Sequence, residues 1–197
     1  MKVLGVDFTS APGPRKAITV ARCVLAGNQL LLEQIDGLHD FDAFEALLRE
    51  RGPWVGGFDF PFGLARQAVT DLAWPTRWSD LLLHCRNLGR AEFKRVLDAY
   101  RESRPIGDRY AKRLGDAASQ AHPSVKLVNP PVGFMFLEGA TRLAASWLHV
   151  PGLRATGDSR IALEAYPGLL VRQLGVKGSY KSDTPRKWTP ARRLYLP

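Results

Sequence analysis

Cysteine is scarce in this chain of 197 residues, with Cys23 and Cys85 the two present. They make no Cys-x-x-Cys pair and no Cys/His spacing suited to zinc, which speaks against a disulfide framework and a structural zinc site. Long apolar runs are missing too. None approaches the roughly 20 residues of a membrane helix, so no membrane partner is expected. Met1-Lys2-Val3-Leu4-Gly5-Val6-Asp7 meets an acidic residue too early for a signal peptide. The reading is a reduced, cytoplasmic protein without a disulfide partner. Repeats and low-complexity tracts are also absent, and His39, His84, His122 and His149 show no spacing for a shared metal.

Acidic charge is in short supply. The 28 Lys and Arg outweigh 19 Asp and Glu, a net charge of +9. The excess is uneven. Residues 1–60 hold 6 basic and 8 acidic side chains, whereas residues 61–197 hold 22 basic and 11 acidic. Such asymmetry points to a polyanionic partner such as nucleic acid. Genome composition is the bland alternative, because 20 of the 28 basic residues are Arg.

Apolar alternation and turn residues delimit the elements. Residues 2–8 form a short apolar strand ending at Asp7, stopped by Thr9-Ser10-Ala11-Pro12-Gly13-Pro14. Residues 17–25 and 29–35 form a hairpin about Ala26-Gly27-Asn28. Asp40 opens a helix with Phe41, Phe44, Leu47 and Leu48 on one face and Gly52 at its end. A fourth strand, 54–60, precedes Pro61 and Gly63. This order, three strands with antiparallel-type connections, a helix and a further strand, opens an RNase H-like α/β fold. It also opens one lobe of the actin and sugar-kinase fold.

Residues 64–150 read as a mainly helical, basic insertion within a single domain spanning 1–197. Between Arg86 and Arg113 lie 9 basic and 4 acidic residues. Leu88, Ala91, Val96, Leu97 and Tyr100 there fit an amphipathic helix, either a solvated basic face or a lid over a nucleic-acid groove. The stretch from Leu127 to Leu148 combines a Pro-Pro turn with an apolar core helix. Residues 160–166 return as a strand, followed by a helix from Leu169 to Leu174.

Three carboxylates stand out. Asp7, Asp59 and Glu164 each fall at or near the C-terminal end of a short apolar strand, where ligands collect in open α/β sheets. Gathered there, they would repel one another unless a cation lay between them. Magnesium or manganese suits such oxygen ligands, and two ions would support phosphodiester hydrolysis by activated water. Each carboxylate also has a local reading. Asp7 and Asp59 suit turn caps, and Glu164 suits an ion pair with Arg160 or Arg172.

The segments GVDFTSAP, GGFDFPFGL, KLVNPPVGFMFLEGATRL, RIALEAYPGLLVRQLG and SYKSDTPRKWTPARR resemble domain-of-unknown-function family 429. That family is regarded as predicted nucleases with an RNase H-like fold, and the similarity runs over essentially the whole chain. The resemblance implies a metal-dependent nuclease with Asp7, Asp59 and Glu164 as catalytic metal ligands. It implies Lys181, Arg113 and Asp116 as phosphate or substrate-binding positions. Two departures accompany it. The family's Arg-x-Thr-Asp reads Arg113-Leu114-Gly115-Asp116 here, without the hydroxyl. Similar proteins also continue into a C-terminal helix with a further Asp, whereas this sequence stops at Pro197, as either a truncated form or a protein that has lost that carboxylate. A non-catalytic nucleic-acid-binding or scaffold protein on the same core is the alternative. A phosphotransferase of the actin and sugar-kinase type would need a second lobe and a Gly-rich nucleotide loop, and these 197 residues accommodate neither.

Overall fold

The computed structural model describes residues 1–175. Their chain alternates between a five-stranded mixed sheet and six helices. Strand β1 (Lys2–Asp7) pairs antiparallel with β2 (Ile18–Ala26), which pairs antiparallel with β3 (Gln29–Leu38). On its other side β1 runs parallel to β4 (Trp54–Phe58), and β4 runs parallel to β5 (Arg160–Glu164). The order across the sheet is therefore β3-β2-β1-β4-β5. β1 is the central strand, flanked by β2 and β4.

The hairpin between β2 and β3 turns through Gly27 and Asn28, where φ at Gly27 is 60°. β3 runs three residues past the expected end, to Leu38. The register slips by one residue between Arg22 and Cys23, so the ladder closes with an extra residue in β3. Helix α1 (Phe41–Arg49) is capped by Asp40, whose carboxylate accepts from the Ala43 N–H at 2.7 Å. It stops before Gly52. Glu50 leaves helical geometry and takes a two-pronged bond from Arg22 at 2.8 and 2.6 Å.

The sheet has two unlike faces. Leu4, Val6, Ile18, Val20, Phe58 and Ala162 are buried on one, against Phe44, Leu47 and Leu48 of α1. Residues of the opposite parity, including Val3, Gly5, Ala21, Cys23, Val55 and Gly57, are half-buried or exposed. Period-two alternation produces this division. Each large apolar side chain placed on the covered face contributes about 1.5–3 kcal/mol.

Between β4 and β5 lie four helices: α2 (Arg66–Asp71), α3 (Trp78–Ser103), α4 (Leu114–Ala118) and α5 (Val132–Ala145). α3 is two helices meeting at Gly89, whose φ of 70° interrupts the helical path. An added Cβ would meet nothing within 4 Å there, so glycine is required by conformation alone. Phe93, Leu97 and Tyr100 face the core, with Leu88 and Val96 partly buried, while Ala91 is exposed. α5 is the core helix expected after the Pro-Pro turn, with Phe136, Leu137, Ala140 and Leu143 buried. It approaches the sheet closely at Gly139, where a Cβ would stand 2.7 Å from the Phe60 ring.

The chain divides into two compact units, Met1–Ala165 and one beginning at Tyr166. The described part of the latter holds α6 (Pro167–Gln173), with Pro at its start and Arg172 lying 5.4 Å from the Tyr166 ring centre. Among the described residues no helix is long and apolar enough to cross a membrane, and both cysteines are free thiols.

Candidate carboxylate site at the strand ends

Asp7 closes β1, and Asp59 follows the last residue of β4. The Asp59 N–H donates to the Val6 carbonyl at 2.9 Å. This bond carries the parallel ladder one step past Val6 and Phe58, bringing Asp59 level with Asp7. The local sequence then repeats itself, because each Asp is followed by a Phe. The Phe8 and Phe60 rings are buried, with centroids 4.7 Å apart. A ladder bond before the carboxylates and a ring pair after them hold the two backbones in step. Asp7 is exposed and Asp59 half-buried.

Glu164 ends β5 opposite Phe58, one step short of that level. Successive strand residues face opposite sides. Glu164 therefore shares parity with Val6 and Phe58 on the covered face, whereas Asp7 has the other parity. Its hydrogen bonds agree. The Phe62 N–H donates to Glu164 Oε2 at 2.9 Å, and Arg113 donates from Nη1 to Oε2 at 2.8 Å and from Nη2 to Oε1 at 2.7 Å. The Phe62 carbonyl accepts in turn from Trp78 Nε1 at 2.6 Å. The turn after Asp59 is thus gripped on both sides of one residue.

Arg113 reaches a second carboxylate as well. Its Nε and Nη2 donate to Asp116 Oδ1 at 2.9 and 2.6 Å, and its backbone N–H donates to Oδ2 at 3.0 Å. The Ser124 N–H adds a long bond of 3.4 Å to Oδ2. Asp116 is only 1 % exposed, so its role here is to anchor Arg113. Burial pulls the Arg113 guanidinium down, but its hydrogen bonds to Glu164 and Asp116 outweigh this and raise its pKa above the ordinary arginine value. The fork it offers Glu164 is two-pronged, the strong form of such a pair.

Sequence reasoning offered Arg160 or Arg172 as the partner of Glu164. Arg113 fills that role, and Arg160 pairs with Asp158 at 2.6 Å. It also missed Arg90, which donates to the Ser10 carbonyl at 3.2 Å and to Glu138 at 3.0 Å while lying 3.9 Å from the Phe134 ring centre. Arg90 thereby ties the loop after Asp7 to α5. No periodicity announces either arginine, since both act across long stretches of chain. Lys181 lies outside the described residues.

Asp7 and Asp59 offer hard oxygen donors at one edge of the sheet. That fits magnesium or manganese, since magnesium is usually held by one or two carboxylates, with waters and substrate phosphate completing its shell. Among the described residues, no three His, Cys, Asp or Glu side chains gather into a group able to hold a metal ion. Glu164 is instead committed to Arg113 and Phe62. Comparison of the chain with protein-family models, curated proteins and solved structures finds no match in any of the three.

Proposed function

We propose that this chain is a metal-dependent nuclease with an RNase H-like core, related to domain-of-unknown-function family 429. The observation that carries the reading is the alignment of Asp7 with Asp59, by the Asp59 N–H bond to Val6 and the Phe8–Phe60 ring pair. Asp7 and Asp59 are the residues that would hold Mg2+ or Mn2+. When bound, the ion supplies a nucleophilic water at neutral pH and offsets charge on the scissile phosphate. The chain's own residues bind and orient. The exposed Asp7 meets incoming substrate, and Glu164 fixes the turn after Asp59 through the Phe62 N–H. Arg113 holds Glu164, and the net charge of +9 draws a polyanion to the protein. Lys181 is proposed as a phosphate contact.

The test is cleavage of labelled single-stranded, duplex and RNA–DNA hybrid substrates in magnesium or manganese, run beside Asp7→Asn. Metal-dependent cleavage that vanishes in the variant, with nucleic-acid binding kept or strengthened, supports the reading. One observation favours a non-catalytic nucleic-acid-binding protein instead: Arg113 already neutralises Glu164. That reading predicts no cleavage, with salt-sensitive binding unchanged by Asp7→Asn.

A further inference from the structure

Trp147 is the largest apolar side chain left open in the described chain, at 70 % exposure. It follows Ser146, the residue closing α5, and adopts φ of 55°. Glycine ordinarily takes this left-handed position after a helix, because a Cβ there crowds the neighbouring carbonyl. The strain is imposed by what surrounds the residue. Leu143 lies in the last turn of α5 and Leu148 follows Trp147, and both are fully buried, so the chain must reverse between them. The indole is held outward on a strained backbone, and such outliers call for a functional explanation.

The indole also has a built floor. The Arg154 guanidinium carbon lies 5.5 Å from its ring centre and 5.3 Å from that of Trp78. Arg154 is locked in place by three carbonyls at the end of α5, donating to Leu143 at 3.0 Å, Ala144 at 2.6 Å and Leu148 at 3.2 Å. A guanidinium fixed by backbone carbonyls therefore supports one face of an exposed aromatic ring. Trp147 itself lies toward the start of β5, since the neighbouring Ser146 carbonyl accepts from Arg160 at 3.4 Å and His149 bridges Ile161. Trp78 spans toward the carboxylate edge, where its Nε1 donates to the Phe62 carbonyl and the Phe62 N–H donates to Glu164.

We infer that Trp147, backed by Arg154, is a stacking platform for an unpaired nucleobase of a strand that runs from the start of β5 toward the carboxylate edge. The inference rests on the nuclease reading and narrows its substrate to nucleic acid with a single-stranded segment. Base–aromatic stacking tolerates any sequence, since every base has a π face, and a base in an intact duplex cannot offer that face.

The test measures binding of the full chain to 5′-labelled oligothymidylate and to a blunt duplex by fluorescence anisotropy, at fixed ionic strength in EDTA. Trp147→Ala is expected to weaken single-strand binding about fivefold or more. Trp147→Phe, which keeps a ring, is expected to retain most of the affinity, and duplex binding is expected to stay unchanged in both. Circular dichroism of each variant verifies the fold. The inference is overturned if Trp147→Ala binds oligothymidylate as the parent does, if both substrates weaken equally, or if the parent binds no single strand. Failure of the nuclease reading looks different: no metal-dependent cleavage, with ring-dependent strand binding intact.

Discussion

The carboxyl edge of the sheet carries acidic residues on two sides, and the two sides have opposite fates. On the covered side Glu164 and the buried Asp116 share Arg113, which spends its donors on both. On the other side Asp7 and Asp59 stand level on adjacent parallel strands, with Asp7 exposed. The residue types are the same and the strand ends are neighbours. Parity makes the difference, since one step of register exchanges the core face for the opposite one. Glu164 and Asp116 are held together by one arginine, whereas Asp7 and Asp59 set two carboxylates side by side on neighbouring strands. Glu164 thus differs from Asp7 and Asp59 in register and in its bonds to Arg113.

Substitution sharpens this contrast. Arg113→Met leaves the buried Asp116 without its charged partner and is expected to cost about 3–5 kcal/mol in denaturant unfolding. If Arg113→Met melts like the parent, the supporting role of this cluster is wrong. Asp7→Asn and Asp59→Asn are expected to remain folded while losing cleavage by about a hundredfold or more, beyond the usual effect of disturbing a ligand's supporting residues. Unfolding of either variant would make that carboxylate a structural cap instead.

The far end of β5 provides a second carboxylate comparison. The Arg160 side chain, then its backbone N–H, lower the Asp158 pKa from 3.8 to about 2. A carboxylate depressed by folding contributes stability that is present above its unfolded pKa and disappears as pH falls through the folded one. Stability should therefore decline between about pH 4 and pH 2 in acid titrations, and Asp158→Asn should flatten that part of the curve. An unchanged slope in the variant would remove Asp158 from the account. The thiols divide in the same manner as the acids. Cys85 is fully buried, and burial pushes its pKa up to about 12, whereas Cys23 is half-buried on the opposite sheet face. A thiol reagent should titrate Cys23 in the native protein and reach Cys85 only on unfolding. The smallest effect concerns Trp147. With the ring removed in both variants, Trp147→Gly should be more stable than Trp147→Ala by about 1 kcal/mol, because only glycine relieves the positive φ.

Much of the sheet was legible from local pattern. Alternation located all five strands, Asp40 marked the start of α1, and Gly27-Asn28 marked the hairpin. Strand ends were less secure, because ladder hydrogen bonds and the slip between Arg22 and Cys23 set them. The kink at Gly89 escaped notice because an isolated glycine within a helical pattern is ambiguous until its φ is known. Asp7, Asp59 and Glu164 were singled out as candidates by their position before turn residues. Their division between faces was not, because Glu164 sits one register step from the level of Asp7 and Asp59.

By itself, then, the sequence determined the kinds of element, their order, the basic excess and the placing of acids at strand ends. Each of these is written in periods of two or 3.6 residues, in turn chemistry, or in composition. Only the tertiary structure decided that Asp59 stands beside Asp7, that Arg113 reaches Glu164 across 51 residues, and that Trp147 is held outward over Arg154. These depend on register and on side chains meeting across the fold. Burial of apolar surface drives such meetings without direction, and close packing then decides which pairs touch.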